Sequence, residues 1–179
     1  MTLRLPQDNM MKKLLIATLC ATAFTLTACD KKPTETNGTT AAAVSLSNNV
    51  AADIKSDLTA IEALSTAKAN EAIDFQTKMM ASVQTGDKAA LDTVLKDMKS
   101  FVDGFNKDLD ALTLKSTEAD ATRNKMKEGN KLGVALTEEG MSAKPDTTKI
   151  QELTTKATEL QKEMIADMQN LKTKAAEAK

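Results

Sequence analysis

The chain has 179 residues, 24 basic and 25 acidic side chains, a formal net charge of −1, and no histidine, tryptophan or tyrosine. It therefore lacks the commonest general base and transition-metal ligand, and it has no concentrated basic face of the kind that nucleic acid requires. Its two cysteines cannot build a disulfide framework, and one domain of ordinary size is the expectation.

In chain order, Lys12-Lys13 is followed by an apolar run from Leu14 to Phe24 and then by Leu26-Thr27-Ala28-Cys29. The run is too short to span a bilayer, which takes about 20 residues. Basic, apolar and small-residue segments in that order mark a cleaved export signal. Residues 26–29 resemble the lipobox of bacterial lipoproteins. That resemblance implies cleavage between Ala28 and Cys29, a diacylglycerol thioether on the Cys29 sulfur and an N-acyl chain, palmitate or similar, on its new amino group. It also implies a lipid-anchored protein facing the periplasm of a Gram-negative cell envelope. In some enteric bacteria an aspartate in the position of Asp30 retains a lipoprotein in the inner membrane. Lys31 does not strengthen that signal, and the reading favours the outer membrane. Thr2 to Asn9, with Pro6 and Asp8, fits poorly inside a basic leader, so translation is expected to begin at Met11 or Met10.

Removing residues 1 to 28 takes away Arg4, Lys12, Lys13 and Asp8 and leaves 21 basic and 24 acidic side chains, near −3. With Cys20 removed and Cys29 acylated, no thiol or disulfide remains, so stability rests on packing. Residues 29–46 read as the lipidated cysteine and a tether, because Asp30 to Leu46 is rich in Thr, Ala, Asn, Gly and Pro. As a coil this segment spans roughly 20–25 Å, and stretched about 60 Å. Lys31 and Lys32 can each gain about 1 kcal/mol at anionic lipid, or simply keep the tether soluble.

Residues 47–179 read as helical, with apolar residues three and four apart. The first helix carries Val50, Ile54, Leu58, Ile61, Ala72, Phe75, Met79 and Val83 on one stripe, weakest across Ser65 to Ala69. Gly86 is its expected stop, and Thr85 or Asp87 the next cap. The second, about 87 to 113, has the broadest apolar face: Leu91, Val94, Leu95, Met98, Phe101, Val102, Phe105, Leu109 and Leu112. Asp92 with Lys96 and Asp103 with Lys107 stand at i,i+4 on its polar side. A third helix, capped by Ser116 or Thr117 and running to about Gly140, has a thin face of Ala119, Met126, Leu132, Val134 and Leu136. Gly129 and Gly133 each cost it about 1 kcal/mol, so it is expected to be the least stable. After the Lys144-Pro145-Asp146 turn, Asp146 or Thr147 caps a fourth helix to about Glu177. Its residues Ile150, Ala157, Met164 and Leu171 recur every seven positions with Leu153 and Leu160 between, a seam of period 3.5.

The expected fold is all-α, an antiparallel up-down-up-down four-helix bundle joined by short connections. The rival is an extended coiled coil that forms a homodimer through the fourth-helix seam. Without Trp or Tyr the core depends on aliphatic residues, Met, and the aromatics Phe75, Phe101 and Phe105.

Chemistry is sparse. No serine sits in a G-x-S-x-G elbow, no Gly-rich phosphate loop exists, and no enzyme activity, cofactor or metal is expected. Asp108-Leu109-Asp110 lacks the glycine turn of a calcium loop, and on a helix its carboxylates point about 200° apart, which favours a solvated face. Met79, Met80, Met98, Met126, Met141, Met164 and Met168 suit gap-filling in a core better than copper(I) ligation, although Met164 and Met168 share a helix face. Gly129 to Gly133 has G-x-x-x-G spacing in polar surroundings that exclude a membrane span. It reads as a close fit against another helix, with a hinge in the third helix as the alternative. Two functional readings follow. In one, the chain is a tethered interaction or structural module that docks an envelope protein; in the other, it is a periplasmic ligand or client binder with apolar surface exposed between helices.

Overall fold

The computed structural model describes residues 45–85 and 88–178. The lipobox, Cys29, the expected start at Met10 or Met11, tether residues 30–44, and the stop and cap at Gly86 and Asp87 lie outside the described residues. Four helices occupy most of what is described: α1 (Ala51–Thr85), α2 (Lys88–Ala111), α3 (Thr117–Met141) and α4 (Thr147–Ala176). The fold class is all-α. Among the described residues there is no strand, only one isolated parallel bridge between Ser47 and Ser116.

The apolar spacing of each helix decides which side it buries. Helix α2 turns Val94, Met98, Val102 and Leu109 inward, and α4 turns Leu160, Met164, Leu171 and Ala175 inward. One core cluster joins Ile61, Leu109, Leu114, Ala119, Met126, Leu160 and Met164, and so draws on all four helices and the α2–α3 connection. A second joins Ile54, Leu58, Leu171 and Ala175 of α1 and α4. Each fully buried Leu or Ile contributes roughly 1.5–3 kcal/mol relative to exposure.

Helices α1 and α3 each pack against both α2 and α4, and touch each other little. Polar pairs fix the register at these seams. Between α2 and α3, Asp110 pairs with Lys127, Asn106 with Asn130 at 2.9 Å and Lys99 with Glu138. Between α3 and α4, Glu118 meets Lys174 at 3.1 Å, Lys125 meets Asp167 at 2.8 Å and Glu139 meets Lys149 at 2.6 Å. In both sets the numbers rise along one helix as they fall along the other.

Several sequence expectations shift. Helix α1 begins at Ala51 rather than Ser47, and Val50 is 42% exposed, outside the stripe assigned to it. Phe101 and Phe105 are half-buried, their tilted rings 6.3 Å apart, while the fully buried Leu109 takes the central position. Asp92 pairs with Lys88 at 3.1 Å instead of with Lys96. The α4 seam is buried only from Leu160 onward; Ile150, Leu153 and Ala157 are half-buried. Helix α3 is thin in large apolar residues, yet Ala119, Thr122, Met126, Leu136 and Thr137 bury it along its length. The Thr122 and Thr137 hydroxyls are satisfied by donating to the Glu118 and Gly133 carbonyls at 3.1 and 2.9 Å. Asp146 caps α4 as expected, accepting from Thr148 N–H at 2.9 Å and Lys149 N–H at 3.2 Å.

Candidate functional site: the junction before α1

The densest polar structure among the described residues lies where the chain leads into α1. Asp57 stands in the apolar stripe of α1, between Ile54 and Ile61, and is only 2% exposed. Its carboxylate reaches the α2–α3 connection. It accepts from Lys115 N–H at 3.0 and 2.9 Å, from Ser116 N–H at 2.7 Å and from the Ser116 hydroxyl at 2.7 Å. These amides lead into the N-terminus of α3, where orphan N–H groups and the helix dipole favour an anion. Ser116 occupies the N-cap position in extended conformation, but its side chain makes no cap bond. The cap anticipated from Ser116 is thus not made, because the hydroxyl is spent on Asp57, which also takes the Ser116 N–H just ahead of the first turn.

Arg123 works on the other side of the same connection. Its guanidinium donates to the carbonyls of Leu109 at 3.4 Å and Leu112 at 3.1 Å, at the C-terminal end of α2, and pairs with Asp120. A cation there complements the negative end of α2. The short connection is therefore held by an anion against one helix end and a cation against the other.

Residues 45–50 lie on top of this arrangement. Ser47 N–H donates to Lys115 O at 2.7 Å, and Thr117 N–H donates to Ser47 O at 2.9 Å. The Ser47 hydroxyl also reaches Lys115 O at 3.1 Å. Asn49 has φ of 56°, in the left-handed region that Asn tolerates better than most residues. Its N–H donates to Glu118 Oε1 at 2.9 Å, and its side-chain oxygen accepts from Lys174 of α4. Burial alone would push Glu118 up. The amides of Asn49 and of Glu118 itself, together with Lys174 and Thr117, outweigh burial and hold the carboxyl below its ordinary value.

The other sequence candidates resolve into structural roles. Asp108 turns to Lys68 of α1 at 3.2 Å while Asp110 turns to Lys127 of α3, which is the divergence expected of carboxylates two residues apart on a helix. Met164 belongs to the first core cluster, and Met168 packs against the second. A Cβ on Gly129 would meet Leu160 and Met164 at 3.7 and 3.8 Å, whereas Gly133 faces open space. The glycine pair is thus a close fit at one member only. Ser65 and Lys68 stand in S-x-x-K order on α1. Asp108 beside Lys68, with Glu71 at 3.4 Å, holds that ammonium above the ordinary lysine value. No group of His, Cys, Asp or Glu suited to a metal occurs among the described residues, and none of their helices is long and apolar enough to cross a membrane.

Asp57 and Arg123 escaped the sequence reading. The signal for Asp57 was present: a carboxylate at i+3 from Ile54 and i−4 from Ile61 falls on the buried side. Arg123 is the one arginine after Arg4, at a helix start rich in acids.

The family description "Uncharacterised lipoprotein PM1805" matches residues 55–176, from the first turns of α1 to the end of α4. The chain belongs to this lipoprotein family. The matched span contains Asp57, the α2–α3 connection, Glu118 and Lys174, and begins just after residues 45–50. No curated protein and no solved structure gives a significant match.

Proposed function

We propose that this lipoprotein is a non-catalytic interaction or structural module, held on the periplasmic face of a Gram-negative outer membrane by acyl chains on Cys29. Residues 30–44 serve as the tether, and the helical domain is an up-down-up-down bundle of antiparallel neighbours. The opposed numbering of the pairs between α2 and α3 and between α3 and α4 supports that arrangement, as does the limited contact between α1 and α3.

The observation that carries the functional reading is the set of ion pairs that joins the helices around the buried core clusters. Ion pairs bridge every adjoining helix pair, including Glu62 with Lys172 at 3.6 Å between α1 and α4. Among the described residues the exposed large apolar side chains are Val50 just before α1, Ile73 and Met80 of α1, and Ile165 of α4. A client-binding bundle would instead present a contiguous apolar patch of several hundred Å². Burial of Leu160, Met164 and Leu171 within the chain's own core supports a monomer over a dimer through the fourth-helix seam.

Mass spectrometry of the mature protein tests the anchor: an N-terminal peptide beginning at acylated Cys29 is expected, and residues 30–179 produced without the leader should stay out of the membrane fraction. A membrane-bound mature protein whose Cys29 carries no acyl chain would overturn the reading. Crosslinking the lipidated protein in its own membranes, followed by capture, should return an envelope protein. Binding of an apolar dye to the folded domain would instead favour the ligand-binding alternative.

A further inference from the structure

Residues 45–50 and Asp57 hold the same connection through separate bonds. Asp57 takes Lys115 N–H, which is part-buried, and the Ser116 N–H and hydroxyl, which are buried. Ser47 takes Lys115 O and Thr117 N–H, and Asn49 takes Glu118 and Lys174, at the solvent side. No bond of the inner set involves residues 45–50. The outer set can therefore part without breaking any bond that Asp57 makes.

Three further features make the outer layer the weaker one. Its Ser47 hydroxyl and Asn49 amide bonds are exposed to water, where exchange for solvent costs little. Asn49 is held at positive φ, a conformation that the free chain leaves readily. Of residues 45–50 only Leu46 and Ser47 are even half-buried, so little apolar surface opposes release.

We propose that residues 45–50 form a releasable clasp at the tether end of the bundle. A pull on the tether opens the clasp as a unit while Asp57 keeps its bonds to Lys115 and Ser116. The opened tether gains six residues, about 20 Å of extended reach, before any helix unwinds. The inference rests on Cys29 as the anchor.

The test uses the mature lipidated protein in nanodiscs, with amide exchange followed residue by residue. In Ser47→Pro, and separately in Glu118→Ala, exchange at Thr117 should accelerate at least tenfold, while Lys115, Ser116 and the core amides of Leu109 and Met126 keep their wild-type rates. Unchanged protection of Thr117 in both variants overturns the clasp. So does acceleration of Lys115, Ser116 or the core together with Thr117, because the two layers would then be one cooperative unit. Pulled away from a bilayer at low force, the wild-type protein should show a step of about 20 Å that Ser47→Pro lacks; no such step in wild type also overturns the proposal. Absence of lipid on Cys29 would defeat the anchor reading and leave the exchange result standing.

Discussion

Asp57 accepts from three donors of the α2–α3 connection, the Lys115 N–H being shared between both its oxygens, while almost wholly out of water. Removing such an acceptor leaves buried donors unpaired, at about 1–3 kcal/mol for each group that finds no new partner. Asp57→Asn keeps the size but loses the charge and one acceptor oxygen, and should lower the unfolding free energy by about 2–3 kcal/mol in urea titrations. A loss under 0.5 kcal/mol, on the order of an ordinary surface substitution, would mean that the connection is held by packing instead. Titration acts at the same scale. Glu118 and Glu139 are both held below the ordinary glutamate value, Glu118 against burial by its amide and Lys174 bonds, and Glu139 by Lys149 and the Asp146 N–H. Their folded values lie below their unfolded ones, so their contribution is complete above the unfolded value of about 4.5 and is lost as pH falls through the folded values. Lys68, Lys125 and Lys149 are raised, Lys125 chiefly by its bonds to Asp167 and Glu163. Their contribution is present below the unfolded value of 10.5 and is lost as pH rises through the folded ones. Thermal melts from pH 3 to 8 should show a decline confined to the acid end, and Glu118→Gln should make that decline shallower.

At the scale of the helix, glycine and aromatic positions give the clearest tests. Gly104 and Gly133 lie inside α2 and α3, and a Cβ on either would meet nothing within 4 Å. Each Gly→Ala change should therefore stabilise by roughly 0.5–1 kcal/mol through helix propensity alone. Gly129→Ala must make ordinary contact with Leu160, and should gain less. Leu109→Ala should cost about 3–4 kcal/mol. Half-buried Phe101→Ala should cost about 2, below the 3–5 typical of a central Phe; the reverse ranking in denaturant would show that the core is centred elsewhere. Between residues 62 and 82 of α1 only Met79 is buried, whereas α3 has buried residues from Ala119 to Thr137. Amides of residues 66–78 should accordingly exchange faster than those of 120–140, placing the weakest helical stretch in α1 rather than in α3. Periodicity made the four helices legible in sequence, and Asp146 made the α4 cap legible, because both depend on residues a few positions apart. What was not legible depends on partners far along the chain. That Asp57 rather than Ser116 serves α3 follows from a contact spanning 59 residues, and local spacing carries no trace of it. The weak apolar patch at Ser65 to Ala69 did announce the poorly buried half of α1. The thin face of α3 misled, because Ala119, Thr122 and Thr137 are buried without being large or apolar.

For the whole molecule, the junction collects parts from the full length of the chain: Ser47 and Asn49 before α1, Asp57 within it, the connection at 112–116, Glu118 at the start of α3 and Lys174 in the last turn of α4. The C-terminal end of α4 is therefore beside the segment that leads into α1. The exposed α3–α4 turn at residues 142–146 is separated from that junction by the 30 residues of α4, about 45 Å of helix at 1.5 Å per residue. Under the tethered arrangement, the junction faces the anchor and the turn is the part presented farthest from it. Equilibrium sedimentation of residues 30–179, produced without leader or acyl chains, should give a monomer mass; a concentration-dependent dimer would favour the fourth-helix seam as an interface.

The contact between Lys174 and Asn49 makes this chain a natural substrate for circular permutation. A short peptide joining the end of α4 to residue 45 would bridge neighbours. New termini opened within residues 142–145 would fall in an exposed turn, where cutting the backbone is best tolerated. Such a rewired protein would keep its helices while moving the point of attachment to the opposite end, turning the orientation of the domain at the membrane into a variable that can be set by engineering.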